Sequence, residues 1–404
     1  MMSPASSGRM SPFELRASLS LASLFALRML GLFLILPVFA VHARHLPGGD
    51  SQTLVGVALG AYGLTQGILQ IPYGIASDRY GRKRAIVVGL LLFAAGSFVA
   101  AWGPNIAVVI LGRALQGAGA IAAPVTAFAA DITREEHRTK AMALIGGSIG
   151  LMFAVSLVAA PALYPLIGMG GIFAATGFLA LAAVWVTLAV VPAEPASGGG
   201  ARRVVPGALR AVLRNAEQLR LNFGIFCLHV VQMAIFVVVP TALVRYGRLP
   251  VSEHWKVYLP VVLGSFALMV PALLYAERNR RMKFLFLASI GLLLAVELGL
   301  AVCLDNFPFL VGLLLFFFVA FNILEACLPS LVSRVAAADS RGTALGVYNT
   351  TQALGLFAGG AMGGWLAQHW GEPSVFVFGF ALAALWLLVA SSMRVPVDAA
   401  EGVS

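Results

Sequence analysis

Gly74-Ile75-Ala76-Ser77-Asp78-Arg79-Tyr80-Gly81-Arg82-Lys83-Arg84 decides how the rest of this sequence is read. The stretch lies between two apolar runs, near 53–77 and 85–102, each long enough to cross a bilayer. It holds one acid, Asp78, and four bases, Arg79, Arg82, Lys83 and Arg84. Gly74 and Gly81 flank the acid, so the backbone is free to turn sharply there. A short basic loop between two spans belongs on the cytoplasmic side of a membrane. Orientation alone requires only bases. A fixed acid, two glycines and Pro72 one turn earlier point to a further task.

Outward from this loop the same composition continues. The chain has 404 residues, 60% hydrophobic and 11% charged, with a mean hydropathy of +0.92. A soluble domain carries roughly 25% charged residues. Apolar runs recur near 18–41, 53–77, 85–102, 105–130, 140–164, 170–191, 219–243, 255–276, 284–303, 307–332, 343–368 and 374–393. Each is close to the ~20 residues that a spanning helix needs. The expectation is an all-α integral membrane protein with twelve spans and no sizeable soluble domain. A net charge of +10 suggests nucleic acid at first sight, but its distribution excludes that partner. With both termini in the cytoplasm, 21 of the 27 Lys and Arg fall inside and four outside, namely Arg44, Arg245, Arg248 and Lys256. Arg28 and Arg113 fall within spans. This is the positive-inside bias, and it sets the orientation. The three cysteines, Cys227, Cys303 and Cys327, lie apart within spans and form no disulfide framework. No small-residue cleavage site follows the first apolar run, so that run reads as an uncleaved span.

The expected organisation is a cytoplasmic tail (1–17), a six-helix bundle (18–191), a cytoplasmic linker (192–218), a second six-helix bundle (219–393) and a cytoplasmic tail (394–404). The linker opens Pro192-Ala193-Glu194-Pro195-Ala196-Ser197-Gly198-Gly199-Gly200 and reads as flexible. It continues into a basic, weakly amphipathic stretch, Ala208 to Arg220, suited either to the anionic inner leaflet or simply to fixing orientation. The halves repeat weakly. Pro72, Asp78-Arg79 and Arg82 realign with Pro271, Glu277-Arg278 and Arg281; Arg138-Thr139-Lys140-Ala141-Met142 realigns with Arg341-Gly342-Thr343-Ala344-Leu345. The second copy of the loop is degenerate, with Arg280 at the place of Gly81 and Met282 at that of Lys83. Glycines crowd span 2 (Gly56, Gly60, Gly63, Gly67) and span 11 (Gly355, Gly359, Gly360, Gly363, Gly364), where small residues let backbones approach in lipid.

The pattern Gly74-x-x-x-Asp78-Arg79-x-Gly81-Arg82-Lys83 resembles the signature loop of the major facilitator superfamily, between its second and third helices. Leu27-Arg28-Met29-Leu30-Gly31, Tyr62-Gly63-Leu64-Thr65-Gln66, Leu111-Gly112-Arg113-Ala114-Leu115-Gln116-Gly117 and His254-Trp255-Lys256-Val257-Tyr258 resemble the YajR group of proton-driven drug exporters within it. The likeness runs from about residue 13 to 395. It implies two pseudo-symmetric six-helix bundles, a cavity lined by helices 1, 4, 7 and 10, and a moving interface made by helices 2, 5, 8 and 11. The group's namesake carries an extra soluble domain after helix 12, which this sequence, stopping at Ser404, is expected to lack. Two departures from the antiporter pattern stand out. Span 1 has no acid, and Pro161 on span 5 follows Ala160 where the pattern has glycine.

Charges inside a span cost at least ~2.5–3.5 kcal/mol each at the bilayer centre, so those retained are candidates for function. Arg28, Arg113, Glu297 and Glu325 are such residues, and His229 is a titratable neutral companion. Glu325 follows Asn322 by three residues and Phe318 by seven, giving a face with a carboxyl, an amide and an aromatic; a carboxyl in a partly dry cavity suits proton carriage or a structural hydrogen bond. Arg113 shares a face with Gln116. The resemblance implies that this arginine tunes a nearby acid; a plain structural contact is the alternative. Arg28 reads either as functional or as a side chain bonded to a carbonyl or reaching for the interface. His229 and Gln232, with Met233 and Phe236, form a stripe fit for substrate or for packing, and Asn349 and Gln352 are weaker candidates. Glu297 reads as peripheral.

In the loop, Asp78 is placed to accept hydrogen bonds from the N-terminal end of helix 11 near Gly342 and Thr343, and Arg82 to pair with Asp131. The resemblance implies that such a latch closes the cytoplasmic side in the outward-open state. No phosphate-binding loop, metal-ligand cluster or nucleophile elbow is present, so neither an enzyme, a metal nor a cofactor is expected. The expected function is secondary active export of small organic compounds by alternating access with proton antiport. A proton-coupled uptake symporter and a non-transporting membrane sensor are the alternatives. A monomer in the inner (plasma) membrane is expected. Asp78→Asn should leave expression near normal while abolishing transport; a variant with full flux in reconstituted vesicles would reject the latch.

Overall fold

The computed structural model describes residues 10–134, 137–194, 207–337 and 340–393. The outer part of the N-terminal tail, linker residues 195–206 and the tail from 394 onward lie outside the described residues. Ten stretches among them are helical, long and apolar enough to cross a membrane. One of these, Arg138–Ala189, is two spans joined at Gly168 (φ 65°, ψ −177°), which follows Pro161 and Pro165. The glycine-rich helix Arg341–Trp370 supplies a further span. The count is therefore twelve, and no strand occurs among the described residues.

Several spans are built in pieces. Span 1 runs Pro12–Phe33, breaks, and resumes at Leu36–His42 with Pro37 in its first turn. Proline is tolerated there because a first-turn N–H has no intrahelical partner in any case. Span 4 breaks between Ile106–Ala118 and Ala122–Ile132. Spans 2 and 3, Gln52–Tyr80 and Arg82–Ala101, are separated by a single residue, Gly81. Its φ of 101° belongs to the region glycine alone enters freely. The signature stretch is thus mostly helix, with Gly74 inside span 2 and the reversal confined to Gly81. In the second half, Asn215 ends the short helix Ala208–Arg214 and caps span 7, Ala216–Arg245, accepting from the N–H groups of Glu217 and Gln218. Leu209 and Leu213 stay exposed on the short helix. Trp255–Arg278, Met282–Cys303, Phe307–Val335 and Glu372–Ser391 form spans 8, 9, 10 and 12.

The halves meet most closely along spans 2 and 11. A Cβ on Gly56 would fall 2.0 Å from the Gly360 carbonyl oxygen, and one on Gly360 would fall 2.3 Å from that of Gly56. Such contact leaves no space for any side chain, and in lipid it is this packing that holds helices together. At the end of the seam away from the signature loop, Gln368 Oε1 accepts from Ser51 Oγ (2.9 Å), Thr53 N (3.0 Å) and Thr53 Oγ1 (2.7 Å). At mid-depth, Phe153 of span 5 packs on Phe33 of span 1, Phe236 of span 7, and Phe318 and Phe321 of span 10, with ring centres 5.0–6.1 Å apart. Toward the signature face the seam parts. A Cβ on Gly74 would meet only Ala123 of its own half, and one on Gly346 would meet nothing within 4 Å. Ile68, Ile71, Ile75 and Tyr80 are exposed along this length of span 2. The molecule is shut on one face and open on the face that carries Asp78.

Gly360→Val should therefore force the shut face apart. A cysteine at Val238, which is 1% exposed and lines a recess of about 380 Å³ on that face, would then react with a membrane-impermeant maleimide once Cys227, Cys303 and Cys327 are replaced by serine. Unchanged labelling would show that the Gly56–Gly360 contact does not hold the face closed.

Candidate functional site

The polar groups at mid-membrane fall into two clusters, one in each half. In the second half, spans 7, 10 and 11 bring together His229, Glu325 and Gln352. Gln352 Nε2 lies 2.8 Å from His229 Nε2 and donates to Glu325 Oε1 at 3.2 Å. His229 Nδ1 faces the Ile225 carbonyl at 3.1 Å. With a carbonyl acceptor at Nδ1, the ring carries its proton there, and Nε2 accepts from the amide. Glu325 Oε2 stands 3.9 Å from His229 Nε2 and is buried with no hydrogen-bond partner in the protein. The amide of Gln352 thus bridges two proton-accepting groups that face each other without a direct hydrogen bond. Phe321 packs edge-on against the His229 ring, 5.9 Å between centres. Asn322 turns aside and donates to Ser265 Oγ of span 8 at 3.0 Å. Gln232, 2% exposed, leaves its Oε1 unpartnered one turn along from His229. The stripes on spans 7 and 10 were legible separately. Gln352, a weak candidate from sequence, is what joins them.

In the first half, Tyr62 of span 2 lies between two arginines. Arg28 and Arg113 sit over its ring at 5.5 and 5.2 Å from the centre. Arg28 Nη2 donates to the Tyr62 hydroxyl and, at 3.4 Å, to Gln66 Oε1. Arg113 is fully engaged otherwise. Its Nε donates to the Ala58 carbonyl (3.3 Å), Nη2 to that of Leu59 (3.2 Å) and Nη1 to Gln116 Oε1 (2.8 Å). Gln116 in turn donates to Ser97 Oγ at 2.8 Å. The acid that the resemblance implies beside Arg113 is not there among the described residues; its partners are backbone carbonyls and an amide. Span 4 is thereby fastened to span 2 at a depth where water cannot supply substitute bonds. Glu297 lies buried away from both clusters, with its Oε2 where a Cβ on Gly379 of span 12 would be.

At the signature face, Arg82 Nε donates to Asp131 Oδ2 at 2.9 Å, the pairing anticipated from sequence, and Arg82 also pairs with Asp78. Asp78 is thus held within its own half, with the face open, rather than at the start of span 11. Arg79 lies over the ring of Tyr80. Lys83 does something the sequence did not suggest. Its backbone N–H donates to Glu194 Oε1 (2.7 Å) and its Nζ to the Val191 carbonyl (2.6 Å), tying the end of span 6 to the start of span 3. Nearby, buried Glu14 caps span 1 with Ser11 and accepts from Arg134 N, Nε and Nη2 at 2.9–3.1 Å.

The chain belongs to the Major Facilitator Superfamily, whose profile matches residues 21–360 and 254–402. It is 46% identical over 394 residues to the inner membrane transport protein YajR of Escherichia coli (strain K12), an alignment covering 96% of this chain and 85% of that one. It is 27% identical over 356 residues to the multidrug resistance protein MdtH of Aeromonas hydrophila, covering 84% and 85%. Among solved structures, a bacterial homolog of the human lysosomal transporter Spinster, inward-facing and occupied, superposes with a TM-score of 0.74 at 13% identity, covering 96% and 98%. The protein is a multi-pass membrane transporter and not an enzyme.

Because Arg113 holds backbone carbonyls, Arg113→Gln should lower the melting temperature of the detergent-purified protein, a loss on the order of 2–4 kcal/mol. An unaltered melting temperature with lost transport would instead assign Arg113 to the transport step.

Proposed function

We propose that this protein exports small, amphipathic organic compounds across the inner membrane by alternating access, in exchange for protons. The observation that carries the reading is the Glu325–Gln352–His229 group. It lies on the inner surface of a bundle that is shut on one face and open on the other. A carboxyl and an imidazole joined by one amide accept a proton without needing a second charged partner. Glu325, with a free Oε2, is the acceptor that exchange would load and unload. Arg28, Gln232 and Asn322 complete the polar lining, and Gln116 serves by orienting Arg113. The open, signature-bearing face is assigned to the cytoplasm, with both termini there, on the loop charges. Asp78, freed from span 11 and held by Arg82 and Asp131, is then the released state of the latch, with Gly74, Gly81, Arg79 and Lys83 shaping the corner. The names of the relatives, an inner membrane transport protein and a multidrug resistance protein, are in keeping with this reading. The protein acts as a monomer, since each chain holds both halves of the pathway.

One proton moving down ~100 mV releases about 2.3 kcal/mol, enough for a gradient of roughly 50-fold. In proteoliposomes with an imposed pH gradient, the wild type should accumulate substrate against its gradient when protons flow the opposite way. Glu325→Gln should abolish accumulation while leaving downhill exchange. Accumulation only when protons and substrate move together would identify an uptake symporter, and absence of any flux would favour a sensor.

A further inference from the structure

The first-half cluster contains positive charge without an answering acid. Arg28 is 1% exposed, and so is Arg113. Neither forms an ion pair among the described residues, and a guanidinium does not lose its proton in a protein. The acids within spans that could answer it lie elsewhere: Glu325 beside Gln352 and His229, Glu297 against span 12, Glu14 with Arg134, and Asp78 and Asp131 with Arg82. An unpaired buried charge is costly, so a site of this kind is built for a counter-ion that arrives from outside the chain.

The hydrogen bonds identify which arginine receives it. Every nitrogen of Arg113 has a partner. Arg28 uses only Nη2, while Nε and Nη1 are buried with no partner in the protein. Around these nitrogens the remaining groups are also donors. Tyr62 accepts from Arg28 through its oxygen, which leaves its O–H to donate. Gln66 accepts through Oε1, which leaves its NH2 group to donate. One turn further along span 2, Gln70 is 2% exposed and has no partner at either Oε1 or Nε2. Tyr62, Gln66 and Gln70 recur every fourth residue and so form a stripe along one face of the helix. A fixed charge with two unused guanidinium nitrogens, flanked by the O–H of Tyr62 and the NH2 group of Gln66, matches an oxyanion. It does not match a cation or an amine.

We infer that the transported compound is an organic anion whose acid group binds Arg28 at Nε and Nη1, with Tyr62 and Gln66 as further donors and Gln70 as the next polar contact along span 2. This rests on the transport reading above and adds the charge of the substrate to it. It also accounts for the absence of an acid beside Arg28 in the middle of span 1, where the substrate itself supplies the negative charge; Glu14, in the first turn, is held by Arg134.

The test uses the full chain purified in detergent, with benzoate, salicylate and dodecanoate as carboxylate probes, salicylamide as a neutral match and benzyltrimethylammonium as a cation. At least one carboxylate should raise the melting temperature with saturable dependence, and salicylamide and the cation should not. Arg28→Gln should weaken that binding by more than about tenfold, the worth of a charge-assisted hydrogen bond, and Arg28→Lys should restore part of it. Without any probe, Arg28→Gln should melt a few degrees higher than wild type, because it removes an unpaired buried charge; a merely structural arginine would give a lower value. The inference is overturned if no carboxylate binds better than the amide or the cation, if Arg28→Gln binds carboxylate normally, or if it melts lower. Intact charge-independent flux would sink the anion site alone, whereas intact carboxylate binding without any flux would sink the transport reading alone.

Discussion

Two carbonyl oxygens, of Gly56 and Gly360, each occupy the place that a side chain on the other residue would need. Everything about the present shape depends on that proximity. Lipid offers helices no hydrophobic gain for associating, so contact area and backbone approach must provide the attraction. Spans 2 and 11 have it from one membrane face to mid-depth, reinforced by Gln368 with Ser51 and Thr53. Beyond Gly67 the contact fails, and the two halves part around a polar centre. The seam is tight at one end and parted at the other, the asymmetry on which the proposed alternating access rests.

The polar centre is unequal between the halves. One side holds a proton-accepting pair joined by the Gln352 amide, and the other holds permanent positive charge gathered about Tyr62. Arg113 and Arg28 look alike in sequence, since each is an isolated base inside a span. Their surroundings separate them. Arg113 is saturated by the carbonyls of span 2 and acts as a cross-brace, while Arg28 keeps most of its donors unused.

Much of this was legible beforehand. Composition and the spacing of apolar runs gave the twelve spans, because the bilayer imposes its own length on every helix. The Arg82–Asp131 pair and the glycine faces of spans 2 and 11 were also apparent, since a few local residues carry them. What could not be read was contact between distant spans. Nothing in Gln352 says that it will lie between His229 and Glu325, which are far from it in sequence. Nothing around Arg113 announces that Ala58 and Leu59 will present carbonyls to it. The breaks in spans 1 and 4 were hidden for another reason: apolar runs on either side of a break read as one continuous run, and hydropathy is blind to backbone geometry.

Lys83 fastens both Val191 and Glu194, so the polypeptide leaves the first six spans at the same corner where Asp78 and Arg82 sit. The end of span 6 and the turn between spans 2 and 3 therefore meet at one corner. Lys83 is thus a rivet, and losing its ammonium would uncouple the last turn of span 6 from the glycine on which spans 2 and 3 fold back.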